Sequence, residues 1–255
     1  MKSLFFLVYR LPGLPPVSPS NFCNLTTMGV KDSSGQLPAI SITPEDIDED
    51  IQDTKEGASA NISVILLAAG SSSRLGQSKQ MLQVDGVPLL QRSARAALAS
   101  GAEDVIVILG ANQQPHQDVV RELPVTIITN HYWKSGIGSS IKSGLNYLIR
   151  KSPDTEAVIL IVCDQPSLTS QHLRNVIESF KQSRMPIIAS SYGDTLGVPA
   201  LFARSFFTNL LMLRDEEGAK KIIEQFEEQV KPVEFPEGSF DIDTLEDYQN
   251  YLRRK

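Results

Sequence analysis

Two cations and a run of small residues follow the first apolar stretch of the sequence. Residues 65–82 read ILLAAGSSSRLGQSKQML, with Arg74 and Lys79 placed after Gly70. Small residues after a strand can expose several backbone N–H groups to an anion. Arginine adds a planar fork of donors, and lysine adds a mobile point charge. The pattern indicates a phosphate-binding loop, and an ordinary solvated surface loop is the alternative.

The spacing of these residues excludes two better-known phosphate motifs. Neither Gly70 nor Gly76 is followed by Gly-Lys-Ser/Thr, as a Walker P-loop requires, and no third glycine completes a dinucleotide fingerprint. The three histidines, His116, His131 and His172, lack metal-ligand spacing. We expect Trp133 to pack beside the site, Cys163 to be a small buried residue and His172 to lie on the surface of a helix. The sequence therefore favours chemistry by charge stabilisation over a protein nucleophile or a zinc site.

Two aspartates are candidate magnesium ligands. Asp164 ends the apolar run ILIVCD, where an ionised carboxylate is costly without a counter-charge. Mg²⁺ held by one or two carboxylates and substrate phosphates would supply that charge, whereas a turn before Pro166 is the alternative. Asp243 precedes Thr244, so it could instead cap a helix. Asp241, two residues earlier, could serve in its place, but we prefer Asp243.

Strands and helices alternate from residue 62 onward, which is typical of a parallel sheet covered on both faces. The predicted strands are 62–68, 104–109, 125–129, 157–162, 186–190 and an edge strand at 230–235. The predicted helices are 87–100, 115–123, 138–151, 170–183, 203–213, 217–229 and a last one beginning at Asp243 or Thr244, where Thr244 and Asp247 fit a capping box. Ligands of such sheets bind beyond the carboxyl ends of the strands, which is where the loop at 69–79 and Asp164 lie.

Composition limits the class of protein and its setting. The chain has 255 residues, a net charge of −6 and two cysteines. The acidic balance argues against a nucleic-acid partner, and no apolar run is long enough for a membrane span. Two cysteines exclude a disulfide framework and favour a reducing, cytoplasmic setting.

The first 61 residues differ in composition from the rest. They mix proline, serine and glycine with an acidic run, and such a composition does not bury enough apolar surface to offset its ordering entropy. We expect a disordered extension over 1–61, with Met28 as an alternative start, followed by one domain over 62–255. The apolar start is short, Arg10 interrupts it and no small-residue cleavage site follows, so the sequence disfavours a signal peptide.

Six collinear segments resemble the nucleotidyltransferases that include the molybdenum cofactor cytidylyltransferases. These segments are LAAGSSSRLGQSKQML (67–82), NHYWKSGIGSSIKSGL (130–145), VCDQPSLTSQHL (162–173), GVPALFARSFF (197–207), DEEGAKKII (215–223) and DIDTLEDY (241–248). Together they cover nearly all of 62–253. The resemblance implies a three-layer, Rossmann-like α/β nucleotidyltransferase fold with a mostly parallel sheet.

The resemblance also assigns roles to individual residues. Arg74, Lys79 and Asp164 match catalytic positions, and Asp164 and Asp243 match Mg²⁺ ligands. A helix start at Gly138 and Ser140 matches a region near the nucleobase, although a simple helix cap would explain Ser140 almost as well. The implied nucleotide-binding residues are Leu67, Ala68, Ala69, Gly70, Ser71, Ser72, Arg74, Lys79, Gly138, Ser140 and Asp164.

The implied activity is Mg²⁺-dependent transfer of CMP from CTP to a phosphate-bearing acceptor. The acceptor is a molybdopterin, with a molybdoenzyme receiving the product, and Ala69 favours CTP over GTP. Two alternatives stay open: transfer to a sugar or polyol phosphate, and a non-catalytic cofactor carrier of the same fold. One departure bears on the acceptor, because Val198 stands where the family usually has histidine.

Overall fold

The computed structural model describes residues 60–72, 75–183 and 185–253. The predicted extension therefore lies almost wholly outside the described residues, as does Arg74. The division into 1–61 and 62–255 stays a prediction.

Within the described residues, seven strands form the main sheet. They are β1 Ile62–Ala68, β4 Asp104–Leu109, β5 Thr126–Thr129, β6 Ala157–Val162, β7 Ile187–Tyr192, β8 Thr195–Ala203 and β9 Val230–Glu234. Their order across the sheet is β5-β4-β1-β6-β8-β7-β9. A separate hairpin consists of β2 Gln83–Val84 and β3 Val87–Pro88. The helices are α1 Leu89–Leu98, α2 Gln113–Val120, α3 Ile137–Lys151, α4 Ser170–Ser183, α5 Phe207–Leu211, α6 Lys220–Gln225 and α7 Leu245–Arg253.

The central strand β1 explains the three-layer arrangement. All seven of its residues are buried, because it pairs in parallel with β4 on one side and β6 on the other. Successive side chains of a strand point to opposite faces. Val64 and Leu66 accordingly belong to one hydrophobic cluster, and Ile65 and Leu67 belong to another. Helices cover both faces, which confirms the predicted α/β fold with a mostly parallel sheet.

Strand β8 is absent from the sequence prediction, which expected a loop and then a helix at this point. It is antiparallel to both β6 and β7, with a register shift between Ala189 and Ser190. Ala200 pairs with Ala189 and Gly197 pairs with Ser190, so Val198 and Pro199 form a bulge. Proline and glycine argue against a strand interior, but a bulge accommodates both. The Val198–Pro199 peptide bond is cis.

Two predicted helices are shorter than expected. The segment 203–213 forms a 3-10 turn at Arg204–Phe206 followed by α5, and 217–229 forms α6 followed by a 3-10 turn at Glu227–Gln229. Both segments lie against the sheet, where Phe206 and Ile222 are buried. The sequence prediction of helices in both segments was correct, but the predicted lengths were too long.

The C-terminal helix packs on the hairpin rather than on the main sheet. Ile242 is buried with Leu82, Val84 and Leu89 in a third cluster, against which Tyr248 packs. This arrangement places the end of the chain beside the loop that follows β1.

The start of α7 matches the predicted capping box. Thr244 Oγ1 accepts the Asp247 backbone N–H at 3.1 Å, and the Asp247 carboxylate accepts the Thr244 N–H at 2.8 Å. The predicted helix start at residue 243 or 244 is confirmed to within one residue.

Across the described ranges, every helix is too short or too polar to cross a lipid bilayer.

Candidate active site at the carboxyl ends of β1 and β6

Lys79 contacts both of the aspartates that the sequence suggested as metal ligands. Its ammonium donates to the Asp164 carboxylate at 2.8 Å and to the Asp243 carboxylate at 2.9 Å. Three separate elements bring these groups together. Lys79 begins a 3-10 turn after the β1 loop, Asp164 follows β6, and Asp243 precedes α7.

The backbone holds the two aspartate segments side by side. The Ile242 N–H donates to the Asp164 carbonyl at 3.0 Å, which joins the C-terminal segment to the end of β6. Each aspartate thus occupies a fixed position relative to the other. Both carboxylates remain partly exposed, so a ligand can reach them.

The charges in this cluster perturb one another. Burial alone would lower the pKa of the Lys79 ammonium, but the charges and hydrogen bonds of Asp164 and Asp243 outweigh it and raise that pKa. Burial and then the charges of Asp164 and Asp243 raise the pKa of the Asp241 carboxyl to about 6. Three carboxyl groups therefore share the region around one described ammonium.

Chemically, this donor set fits a divalent cation. Two carboxylates converge on the same small space, and a third carboxyl nearby feels their negative charge. In the part of the chain that the structure describes, no cluster of three or more His, Cys, Asp or Glu side chains is arranged as a complete metal cage. Mg²⁺ is commonly held by one or two carboxylates, with waters and substrate phosphates completing its shell.

A cavity of about 330 Å³ opens beside the Lys79–Asp164 pair. Eight of the predicted nucleotide-binding residues line it: Leu67, Ala68, Ala69, Gly70, Ser71, Lys79, Ser140 and Asp164. Ser72 and Gly138 do not line it, and Arg74 lies outside the described residues. Asp243 is brought to the site through its contact with Lys79 rather than as part of the cavity lining. The roles of all these residues stay predictions.

Gln80 organises the loop, and sequence reasoning missed it. The side chain is 2% exposed, and its amide nitrogen donates to the carbonyls of Ala68 at 3.2 Å and Gly70 at 2.8 Å. Its amide oxygen accepts from the hydroxyls of Ser72 and Ser78. Gln80 therefore joins both ends of the loop. The sequence offered only a glutamine next to a candidate cation, and nothing in it indicated that the side chain is buried.

Ser72 supports the loop from within and has a positive φ of 56°. Its hydroxyl oxygen accepts the Lys79 backbone N–H at 3.0 Å, while its O–H donates to Gln80 at 3.1 Å. These bonds place Lys79 at the point where its ammonium meets the carboxylates. Ser72 therefore supports Lys79 and the loop, and its contact with a nucleotide stays a prediction.

His116 supports the same loop from behind. It is fully buried at the start of α2, with its Nε2 2.5 Å from the Ser78 hydroxyl. The Ser78 O–H donates to Gln80, so the histidine supplies the proton of the 2.5 Å contact. The pKa of His116 is lowered by burial, which favours this neutral, donating form. Sequence reasoning gave His116 no role.

The start of α3 differs from the prediction at Gly138. At a helix start the N–H groups are free to face a ligand, but the Gly138 N–H donates to the Asp215 carbonyl at 2.8 Å. A Cβ at this position would approach the Arg214 carbonyl oxygen to 2.2 Å, so glycine is needed for close backbone packing. Ser140 does line the cavity, and its hydroxyl accepts from the Asn130 amide at 2.9 Å.

Trp133 and Lys134 form the wall opposite the β1 loop. Trp133 packs against Gly110, where a Cβ would approach the tryptophan Cβ to 2.6 Å. The Lys134 ammonium lies 5.6 Å from the centre of the Trp133 ring, within cation–π range. Trp133 was expected to pack beside the site, whereas Lys134 is a cation of the cavity that the sequence prediction missed.

Cys163 and His172 are both buried. Cys163 was expected to be a small buried residue, and burial raises the pKa of its thiol to about 12. His172 was expected on the surface of a helix, and that prediction is wrong. Its Nε2 lies 2.7 Å from the Ser190 hydroxyl, and its ring stacks on Phe235 at 4.1 Å. The partner strand β7 and the Phe235 ring are distant in sequence, so helical spacing alone did not indicate this burial.

The chain is similar to several curated proteins over part of its length. It is 32% identical over 132 residues to nicotine blue oxidoreductase from Paenarthrobacter nicotinovorans, covering 51% of this chain and 63% of that protein. It is 30% identical over 115 residues to molybdenum cofactor cytidylyltransferase from Escherichia coli, covering 45% and 57%. It is 26% identical over 132 residues to molybdenum cofactor guanylyltransferase from Syntrophotalea carbinolica, covering 52% and 58%. The chain thus spans about three fifths of each of these relatives.

Solved structures share the fold over a larger part of the chain. Rv0371c from Mycobacterium tuberculosis has a TM-score of 0.66 at 25% identity, covering 76% of this chain and 99% of that one. Molybdopterin-guanine dinucleotide biosynthesis protein A from Archaeoglobus fulgidus has a TM-score of 0.56 at 14% identity, with coverages of 76% and 100%. The second likeness bears on the fold alone.

A family model also matches residues 64–230, well over half of the chain. That range includes the loop after β1, Lys79, the β6 strand with Asp164, and the β8 bulge. On this evidence the chain belongs to the family with the MobA-like NTP transferase domain.

Proposed function

We propose that this protein transfers CMP from CTP to a phosphate-bearing acceptor of the molybdopterin type and releases pyrophosphate. The observation that carries the proposal is the contact of Lys79 with both Asp164 and Asp243, beside a cavity lined by the β1 loop. Cations, backbone N–H groups and carboxylates in one place match the needs of a triphosphate with a divalent cation. The cytoplasmic setting that two cysteines favour belongs to the same proposal.

The reaction needs no protein nucleophile. An oxygen of the acceptor phosphate bonds to the α-phosphorus of CTP. The bond from that phosphorus to the oxygen bridging to the β-phosphorus breaks, and pyrophosphate carries the electron pair away. A phosphate is already ionised at neutral pH, so no general base is required. The contribution of the protein is orientation and charge stabilisation.

Each part of the site has a defined task in this reaction. Backbone N–H groups of the loop around Gly70 and Ser71 bind the phosphates, and Lys79 with Arg74 holds the departing pyrophosphate. Ser140, whose hydroxyl accepts from Asn130, would contact the base. Asp164 and Asp243 would hold Mg²⁺, which when bound supplies Lewis-acid stabilisation of the phosphoryl oxygens.

The choice of CTP rests on a single position. Ala69 in the LAAG segment favours CTP within the resemblance described above, and the name of the Escherichia coli relative supports this choice. The name of the Syntrophotalea carbinolica relative supports GTP instead. A thermal-shift screen of all four nucleoside triphosphates with Mg²⁺ would decide between them, because the preferred ligand stabilises the folded state most. A larger shift with GTP than with CTP would contradict the assignment of the base.

Transfer to a sugar or polyol phosphate is the second candidate. The observation behind it is Val198, which cannot donate a hydrogen bond where the family usually has histidine.

A carrier without catalysis is the third candidate function. A carrier has no need of a lysine held between two carboxylates, which weighs against it.

Pyrophosphate release tests the proposed reaction directly. With CTP, Mg²⁺ and molybdopterin, Lys79→Ala and Asp164→Ala should each lower turnover by roughly 10²- to 10³-fold, as is common when one charge-stabilising group is lost. Lys151→Ala and Asp154→Ala change exposed residues of the same types and should leave turnover at the wild-type level.

The same assay separates the three candidates. Release with a polyol phosphate but not with molybdopterin would support the second candidate, and nucleotide binding without release would support a carrier. Turnover within twofold of wild type in both site variants would contradict the assignment of the site itself.

A further inference from the structure

Three successive carbonyl groups at the start of the loop after β1, those of residues 68–70, are held by hydrogen bonds from other segments. The Gln80 amide nitrogen donates to the first and the third, and the Ala111 backbone N–H donates to the second, that of Ala69, at 3.0 Å. The C=O and N–H groups of a trans peptide point in opposite directions. Holding these carbonyls therefore also fixes the direction of the N–H groups of residues 69–71, which line the cavity of the candidate site.

Gln80 holds these carbonyls in only one of the two orientations of its amide. A rotation of the amide by 180° would turn its oxygen toward two carbonyl oxygens, which are all acceptors. The O–H groups of Ser72 and Ser78 donate to the amide oxygen and so favour the observed orientation. Ser78 makes the shorter of these two bonds, at 2.7 Å against 3.1 Å. The direction of the Ser78 hydroxyl therefore bears on the whole start of the loop.

His116 determines where the Ser78 hydroxyl points. A serine has one O–H proton, so Ser78 donates either to Gln80 or to the histidine. The His116 Nε2 lies 2.5 Å from the Ser78 oxygen, and a proton on Nε2 makes the histidine the donor of this contact. The Ser78 proton is then left for Gln80. A side chain without a donor at this place would no longer enforce that direction.

His116 acts at a distance from any ligand of the site. It is fully buried on α2 and is not among the residues that line the cavity. The turn before α2 supplies the Ala111 N–H that holds the Ala69 carbonyl. α2 and its preceding turn therefore contact the loop in two places, one at each end.

We propose that His116 is a positioning residue for the loop after β1. By donating to Ser78 it keeps Gln80 oriented, and Gln80 in turn keeps the loop N–H groups directed toward the triphosphate. The triphosphate in this statement rests on the proposed function, whereas the order of the loop does not. Such a role affects nucleotide binding more than the chemical step, so a variant should raise the KM and leave kcat nearly unchanged.

Two substitutions of His116 separate the donor from the mere volume of the ring. His116→Leu removes the donor, and His116→Gln supplies an amide N–H in its place. In pyrophosphate release by the full-length protein with Mg²⁺ and molybdopterin, His116→Leu should raise the KM for CTP at least about tenfold, with kcat within about twofold of wild type. His116→Gln should restore most of the loss. An unchanged KM in His116→Leu, or an equal rise in both variants, would overturn the inference.

His172 offers a matched control on another helix. It is also a buried histidine, and its Nε2 lies 2.7 Å from the Ser190 hydroxyl. His172→Leu should reduce stability as His116→Leu does, but its KM for CTP should equal that of wild type. A similar rise of KM in both leucine variants would show a general effect of core damage and would also overturn the inference.

The order of the loop is measurable without nucleotide. Amide hydrogen exchange of residues 69–72, resolved by NMR, should be faster in His116→Leu and in Ser78→Ala than in wild type, and unchanged in Ser190→Ala. Ser78 is half-buried, so Ser78→Ala provides the test even if His116→Leu does not fold.

The two measurements fail separately. Unchanged exchange in Ser78→Ala would overturn the role of His116 even if CTP binds to the wild type. Faster exchange, together with a wild type that binds no nucleoside triphosphate, would support the positioning role and overturn the proposed function.

Discussion

At the scale of single residues, Lys79 and Gln80 are neighbours in sequence that make different contacts. The Lys79 ammonium meets Asp164 and Asp243, whereas the Gln80 side chain holds the carbonyls of Ala68 and Gly70. The types of residue that bear charge were predictable from the sequence. The hydrogen-bond partners of the buried Gln80 amide were not predictable, because they lie on several backbone segments that come together only in the folded protein.

Loss of the Gln80 amide should loosen the loop that follows β1. In Gln80→Ala, two backbone carbonyls and two hydroxyls lose their partner, at about 1–3 kcal/mol for each buried group left unpaired. We expect the KM for the nucleotide to rise about tenfold or more, with a smaller effect on kcat. Steady-state pyrophosphate release measures both constants.

Gln91→Ala is the matched control for this variant. It removes a hydrogen bond of the same kind, from the Gln91 amide to the Val119 carbonyl at 2.8 Å, away from the site. Its KM should match wild type. A comparable rise of KM in both variants would show that general loosening, rather than the loop, is responsible.

At the scale of elements, the accuracy of the sequence prediction follows burial. β1, β4, β6 and α4 have the predicted bounds, because continuous apolar runs and regular helical spacing leave few alternatives. β8 was missed because Gly197 and Pro199 interrupt its pattern, although its neighbours in the sheet hold it in place. Tertiary contacts overrode local propensity there.

The segment that ends in the C-terminal helix carries Asp243 to the site, and a tyrosine hydroxyl of that helix bonds to the hairpin in addition to the apolar packing. Tyr248 donates to the Gln83 carbonyl at 2.6 Å. Tyr248→Phe should lower the free energy of unfolding by about 1 kcal/mol, the usual net value of one hydrogen bond. Because Asp243 precedes this helix, we also expect a severalfold higher Mg²⁺ concentration for half-maximal activity.

Tyr147→Phe removes the same hydroxyl from a tyrosine on α3 and is the control for Tyr248→Phe. Denaturant unfolding and a Mg²⁺ titration of activity give the two readouts. A stability loss in Tyr248→Phe without any change in the Mg²⁺ titration would show that α7 does not position Asp243.

At the scale of the whole molecule, stability should fall with pH in the acid range because of His172. Burial lowers the pKa of this histidine from 6.5 to about 4, against a smaller opposing effect of Glu237. The folded state keeps the ring neutral while the unfolded chain takes up a proton, so protonation favours unfolding. The contribution of the neutral His172 to the free energy of unfolding is fully present above pH 6.5. It is lost as the pH falls toward 4, and the total loss is about 3 kcal/mol at most.

Urea unfolding at pH 7.5, 6 and 5 measures this contribution. His172→Gln removes the titrating group and should flatten the decline relative to wild type. His131→Gln changes an exposed histidine and should reproduce the wild-type decline. Parallel curves for wild type and His172→Gln would exclude this histidine as the source.

The bulge in β8 has a consequence for how this chain can diverge. Val198 and Pro199 lie outside the described strand pairings, while Ala200 and Leu201 are paired on both sides. Replacing Val198 alters the surface offered to a ligand without removing a residue pairing between strands. The surface beside β8 can therefore change by drift at this one half-buried position, while the strand pairings and the contacts of Lys79 with Asp164 and Asp243 are inherited intact.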